Sequence, residues 1–342
     1  MRRTASLFED IVEWKNFRLA YYKARRGKRA SRDVMEYSHR LDSNLDQMAD
    51  ELRGGTFSVG RFHQFVIHDP KERTITAPCF AERVLHHAIM NVCEPVFEKS
   101  LIYDTYACRA GRGREAAVQR AQTFAHRYPF FLKLDVRKYF DSISHSILLT
   151  RLDRLFKDER LMGLFARILQ GFQGDRGRGL PIGSLTSQHF ANYYLAWFDR
   201  YVKETLRVKG YVRYMDDSLL WGPSSRAMKD ILDRCREFLG SELQLEFKPH
   251  PYINRSQHGV DFLGSRVLPD HVCLNRRSRV RFAHKMAKLE ESFLAGLIDE
   301  RALQERATSL VAFTQSAGAK CWHFRSAVLQ SLPVSGRRPR TG

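Results

Sequence analysis

The sequence predicts an α+β protein in which antiparallel strands are flanked by helices. Residues 62–78, FHQFVIHDPKERTITAP, read as two strand-forming runs around a proline-containing turn. Residues 211–222, YVRYMDDSLLWG, read as a second pair of apolar and aromatic runs that meet at two aspartates. Around these hairpins lie long stretches with helical spacing, and from about residue 275 the chain turns helical and very basic.

Residues 7–53 have helical character, interrupted by the basic ARRGKRASR at 24–32. After the first hairpin, Val84, Leu85, Ala88, Ile89 and Val92 recur at helical spacing. His86 and His87 diverge by about 100° on that helix, a poor geometry for a shared ligand, so a structural role is expected for both. CRAGRGREAA (108–117) contains Gly111, Gly113 and Ala116 in the G-x-G-x-x-A spacing of dinucleotide sites. The preceding YDTYACR is too polar for the buried strand such a site requires. The expectation is therefore a basic loop whose Arg109, Arg112 and Arg114 touch phosphates, or else a plain surface loop.

FFLKLDVRKYF (130–140) alternates as a strand, with Leu132, Leu134 and Val136 on one face and Lys133 and Asp135 on the other. Ser144 can cap a helix carrying Ile147, Leu148, Leu152, Leu155 and Phe156 on one side. Residues 179–204 read as a glycine-proline turn leading into one long aromatic-rich helix. A helix over 225–240 follows the second hairpin, then strands at LQLEF (243–247) and GVDFLG (259–264). A domain boundary is expected near 266–275, and the last residues, SGRRPRTG, read as a basic disordered tail.

Hydrophobic residues make up 43% of the 342 and aromatics 12%, enough for a substantial core, which excludes global disorder. Lys and Arg total 57 against 38 Asp and Glu, a net charge of +19. That excess points to a polyanionic partner, with nucleic acid foremost; a solvated basic surface is the alternative. The cysteines (Cys79, Cys93, Cys108, Cys235, Cys273 and Cys321) form no CxxC pair, so neither a zinc site nor a disulfide framework is expected. MRRTASLFEDIVEW lacks an apolar signal region and no run approaches a membrane span, which predicts a soluble, cytoplasmic protein with no membrane partner.

Asp216 and Asp217 then need a reason. Adjacent carboxylates repel, and Asn-Gly or Asp-Gly would join two strands with less strain. Together with Asp135 they form three acids on strand and turn positions, a set suited to two Mg²⁺ ions and in-line phosphoryl transfer. From the residues alone, a solvated surface turn explains the doublet equally well.

Four motifs in order, FLKLDVRKYF, GLPIGSLTSQ, YMDD (214–217) and DFLG (261–264), resemble the polymerase core of reverse transcriptases across roughly residues 15–330. The resemblance implies a right-hand architecture: a helical extension (1–60), fingers (61–130, interleaved with 155–180), a palm (131–265), a helical basic thumb (266–330) and the tail (331–342). It implies an RNA-directed DNA polymerase with two Mg²⁺, or Mn²⁺ in their place. Its catalytic residues would be Asp135, Asp216 and Asp217, and its metal-holding positions Asp135, Val136, Asp216 and Asp217. Phe140 would be a steric gate that excludes a 2′-hydroxyl, Lys71 and Arg73 would neutralise the triphosphate, and Lys248 would protonate pyrophosphate. Ile182, Gly183 and Gln188 fall in the nucleotide-binding loop and helix. DFLG would be the primer-grip hairpin. The partners implied are template RNA, primer or cDNA, and dNTPs.

After residue 275 only a thumb is expected, with no RNase H, integrase or HNH domain. Group II intron enzymes usually carry QG followed by SP in the loop that here runs Ile182-Gly183-Ser184-Leu185-Thr186-Ser187-Gln188. This IGxxxSQ form, with KARRGKR and DTYACRAGRG, resembles the reverse transcriptases of diversity-generating retroelements. That subtype implies errors at template adenines and a small accessory protein. The alternatives are a stand-alone bacterial enzyme of intron-like or antiphage-defence type, and a non-catalytic RNA-binding protein on a polymerase scaffold.

Overall fold

The apolar spacing of the N-terminal region produces four helices, Phe8–Ile11, Trp14–Ala24, Arg32–His39 and Leu41–Arg53, with the break between the second and third falling on the basic stretch. The computed structural model describes residues 6–68, 72–172, 177–315 and 321–332; Lys71 and nearly all of the tail lie outside the described residues. Packing divides the chain into two units. One comprises residues 1–109, 135–206 and 233–250, the other 110–134, 207–232 and 251–342.

In the first unit, β1 (Phe62–His68) and β2 (Glu72–Pro78) pair antiparallel, with Phe62 opposite Pro78 and His68 opposite Glu72. The core is aromatic. Phe97, on the helix Phe80–Ser100, meets Phe156 and Tyr193 edge-on at 5.4 and 5.6 Å, and Phe165 packs edge-on against Phe190 at 5.1 Å. Asp158 begins the helix Glu159–Gln170, accepting from Leu161 N at 3.1 Å, and it also accepts from Phe8 N at 2.8 Å.

Three expectations need correction. The single helix expected through 179–204 is three segments, Leu185–Tyr194, Ala196–Arg200 and a π-helical turn, Tyr201–Thr205. A π turn re-aims the side chains that follow it, and here Tyr201 lies flat on Phe238, centroids 4.1 Å apart. LQLEF is not a strand. The helix Ser225–Leu243 keeps its apolar face through Leu239 and Leu243, and only Phe247 pairs, in one bridge with Val136. Ser144 does stand at the start of the helix His145–Leu152, yet its hydroxyl lies 3.0 Å from Ser146 Oγ and caps no backbone N–H.

The second unit is built on β3 (Phe130–Asp135, all but its last residue), β4 (Gly210–Tyr214), β5 (Asp217–Gly222) and β6 (Tyr252–Arg255), in the sheet order β4-β5-β3-β6. The polar YINR of β6 gives no alternation to read, and its residues are exposed or half-buried. β7 (Val260–Phe262), β8 (Ser265–Val267) and β9 (Val272–Leu274) form a second, antiparallel sheet. The GVDFLG strand thus ends early and turns at Leu263 (φ 49°) and Gly264 (φ 82°), two left-handed residues of the kind tight hairpins favour.

The helix Gly113–Arg127 brings Phe124 against Trp221 of β5 at 5.5 Å, and Gly210 leaves the room for this, since a Cβ there would lie 2.8 Å from Trp221 Cβ. Helices Arg276–Leu294, Glu300–Gln315 and Cys321–Gln330 enclose a small core of Phe282, Met286 and Leu332, with Phe324 packed on it.

Trp221 is 2% exposed and its indole N–H has no hydrogen-bond partner among the described residues. Trp221→Ala should cost about 3–5 kcal/mol in urea unfolding. Trp221→Phe, which removes the unsatisfied donor and keeps an aromatic ring, should cost less than about 1.5 kcal/mol.

Candidate active site

The β4–β5 register pairs Tyr214 with Asp217, so the turn is Met215-Asp216 and Asp217 is already the first residue of β5. The two acids therefore occupy different positions, one in the turn and one on the strand. Met215 takes φ 56°, a left-handed conformation that costs an L-residue roughly 1–2 kcal/mol. The neighbouring Arg213, fully buried in β4, donates from Nη1 to the Met215 carbonyl at 2.8 Å and braces the turn. Asp216 and Asp217 are both half-buried. Lys133 Nζ lies 3.3 Å from Asp217 Oδ2 and donates to the Asp261 carbonyl at 2.7 Å.

Asp135 is the last residue of β3, the neighbour of β5 in the sheet. Lys248 holds it twice: its backbone N donates to the Asp135 carbonyl at 2.9 Å, and its ammonium donates to Asp135 Oδ2. Asp135 Oδ1 is buried with no hydrogen-bond partner among the described residues, the condition of an oxygen that a hard cation would satisfy. Val136 is buried and takes part in the bridge to Phe247. Among the described residues no group of three or more His, Cys, Asp or Glu side chains is gathered closely enough to hold a metal ion.

Within the first unit, Phe140 is half-buried while its neighbour Tyr139 is buried, the Tyr139 hydroxyl donating to the Ala191 carbonyl. Thr76 N, on β2, donates to the Ile182 carbonyl at 2.8 Å. Gly183 follows at φ 126°, and a Cβ there would lie 2.9 Å from Ile75 Cγ2 and 3.1 Å from the Thr76 carbonyl oxygen, so only glycine fits. Ser184 is anchored next: its Oγ is 2.7 Å from His86 Nδ1, and Thr186 Oγ1 is 2.9 Å from the same nitrogen. His86 Nε2 lies 3.4 Å from Glu82 Oε1, while Glu82 Oε2 accepts from Gly60 N at 2.9 Å. This buried chain gives His86 the structural role expected of it. Arg73 and Gln188 are exposed.

Arg109 and Arg114 are both engaged within the protein. Arg109 is clamped by Glu98 and by the carbonyls of Ile102 and Thr105. Arg114 belongs to the helix Gly113–Arg127, donates to the Leu263 carbonyl at 2.7 Å and lies 4.2 Å over the Phe313 ring. Lys133, in contact with Asp217, and Arg213, bonded to the Met215 carbonyl, are residues that sequence reading did not single out. The only signal for Lys133 was its place on the same strand face as Asp135.

The family model for "Reverse transcriptase (RNA-dependent DNA polymerase)" matches residues 68–267. The chain belongs to the reverse transcriptase family, the RNA-directed DNA polymerases. Protein YkfC of Escherichia coli is 24% identical over 67% of this chain and 72% of its own length. Nuclear intron maturase 4, mitochondrial, of Arabidopsis thaliana is 30% identical over 45% of this chain, and the match spans 20% of that protein. Group II intron-encoded protein LtrA of Lactococcus lactis is 21% identical over 47% of this chain and 28% of its own length. No helix among the described residues is long and apolar enough to cross a membrane.

His189, on the helix that follows the Ile182–Ser184 loop, is 8% exposed, and burial lowers its pKa to about 4. An imidazole near 6.5 in the unfolded chain then binds protons that the folded chain refuses, so stability falls as pH drops from 6.5 towards 4. At pH 5 the loss from this group should be on the order of 2 kcal/mol. Urea unfolding at pH 7 and pH 5 should show a shallower pH slope for His189→Gln than for the unsubstituted chain.

Proposed function

We propose that this chain copies an RNA template into cDNA from dNTPs by two-metal-ion nucleotidyl transfer. The observation that carries the reading is Asp135 at the end of β3, whose Oδ1 is buried with no hydrogen-bond partner among the described residues. Asp135, Asp216, Asp217 and the Val136 backbone would hold two Mg²⁺ ions, or Mn²⁺. When bound, the ions supply Lewis acidity for the primer 3′-hydroxyl and neutralise charge on the leaving pyrophosphate. The lysine contacts fit this reading, because half-buried acids need compensating positive charge nearby.

Phe140, half-buried beside a buried Tyr139, keeps a ring face for the sugar and would exclude a 2′-hydroxyl. Arg73, exposed on β2, supplies charge for the triphosphate together with Lys71. Lys248, whose ammonium donates to Asp135, would deliver a proton to the leaving group.

The subtype we favour is the diversity-generating retroelement enzyme, working with a structured RNA and a small accessory protein in the cytoplasm. Ile182 supports it: an aliphatic side chain cannot hydrogen-bond around the incoming nucleotide, which loosens discrimination. An intron-type enzyme is the second reading, favoured by the relatives whose names place them in introns.

Primer extension on RNA with Mg²⁺ should fall about 10³-fold in Asp216→Ala plus Asp217→Ala, given several kcal/mol of lost charge stabilisation. Equal extension by the two proteins would exclude the polymerase reading. On a defined template, Ile182→Gln should lower misincorporation opposite adenine several-fold; an unchanged error rate would exclude the fidelity role of Ile182.

A further inference from the structure

We propose that Lys133 is a positioning residue that couples the DFLG turn to the Asp217 carboxylate, so that the seat of the primer end and the orientation of a catalytic acid are set together. The inference rests on the polymerase reading above, and every group in it belongs to the second unit.

The strand pattern explains why Lys133 is available. On β3 the apolar Leu132 and Leu134 are buried, while Lys133 is half-buried on the opposite face, its side chain 26% exposed. An ammonium has three donors in a tetrahedral fan. One is committed to the Asp261 carbonyl at 2.7 Å, and the same nitrogen lies 3.3 Å from Asp217 Oδ2. Asp261 is the first residue of DFLG, and its own carboxylate is engaged separately, accepting from Arg266 Nη1 at 3.0 Å. Lys133 therefore grips the backbone of that hairpin, not its side chain.

The turn is fixed on its other side by Arg114. Its Nε donates to the Leu263 carbonyl at 2.7 Å, its Nη2 to Ser265 Oγ at 3.1 Å, and its guanidinium lies 4.2 Å over Phe313. Leu263 and Gly264 are left-handed, so the turn has few other conformations in which to relax. With Arg114 at its apex and Lys133 at its base, the hairpin has one free direction removed at each end. Lys133 also reaches an acid of the doublet, Asp217. Displacing the DFLG backbone would pull the ammonium off Asp217, and reorienting Asp217 would release the hairpin.

The test uses the full chain with Lys133→Met, Lys133→Gln and Lys133→Arg, each checked for a folded circular dichroism spectrum and thermal midpoint. Affinity for a primer–template duplex is read by fluorescence anisotropy without divalent metal, and kcat by single-nucleotide extension at saturating duplex and Mg²⁺. The coupling predicts that Lys133→Met weakens duplex binding several-fold and lowers kcat roughly tenfold. Lys133→Gln, able to bond the carbonyl but uncharged, should recover binding more than kcat, and Lys133→Arg should recover most of both. Unchanged binding with reduced kcat would overturn the coupling, as would an Arg variant no better than Met. If the unsubstituted chain binds duplex but extends no primer, the polymerase reading fails, while the binding series still reports whether Lys133 secures the turn.

Discussion

A carboxylate drawn partly out of water must be compensated by nearby donors or cations, and this requirement governs the surroundings of each candidate acid. Asp135 and Asp217 are each about a quarter to a third exposed, and a lysine meets each, Lys248 the first and Lys133 the second. The lysines come from quite different places. Lys133 rises from the strand that ends on Asp135, and Lys248 follows the irregular stretch after the helix Ser225–Leu243, in the same unit as the acid it meets. The failure of LQLEF to become a strand has its use here. Val136 pairs with Phe247 in a single bridge, and that bridge sets the next residue, Lys248, against Asp135 with both its backbone and its side chain.

The second constraint is backbone strain at the doublet. A two-residue connection with Met215 left-handed is costly for a side chain that long, and neither central residue is the glycine such turns favour. What over-determines it is visible on both sides. Arg213 is buried in β4 and bonds the Met215 carbonyl, while Trp221 and its contact with Phe124 lock the far end of the same hairpin. A surface turn of the kind that sequence alone left open would be solvated and relaxed. This one is half-buried, strained and braced by a buried guanidinium.

The parts of the fold legible in the sequence were those governed by local periodicity. The β1–β2 hairpin, the helix through Ile89 and the YVRYM and SLLWG arms all stand where alternation or helical spacing put them. What was not legible depends on partners distant in sequence. β6 is polar and becomes a strand only because β3 offers an edge. Arg109 and Arg114 look like solvated loop cations until Glu98, Leu263 and Phe313 fold around them. Of the site, the acids were readable because an Asp-Asp pair between apolar runs is locally inconsistent, and inconsistency of that kind marks functional positions. Lys133 and Arg213 were not, since a cation on a strand is locally unremarkable.

The loop after Leu180 adds a separation between architecture and specificity. Its path is fixed by the Ile182 carbonyl on Thr76, by a glycine that no other residue can replace against Ile75, and by Ser184 on the buried His86–Glu82 pair. None of these contacts involves the Ile182 side chain, which stands half-buried on a backbone held by its neighbours. A side chain so placed can be exchanged without moving the loop that presents it. The side chain at position 182 is thus adjustable independently of the scaffold. Strand register and ion pairing determine that the doublet is a strained, compensated feature, while the loop's path is set by backbone contacts of its own.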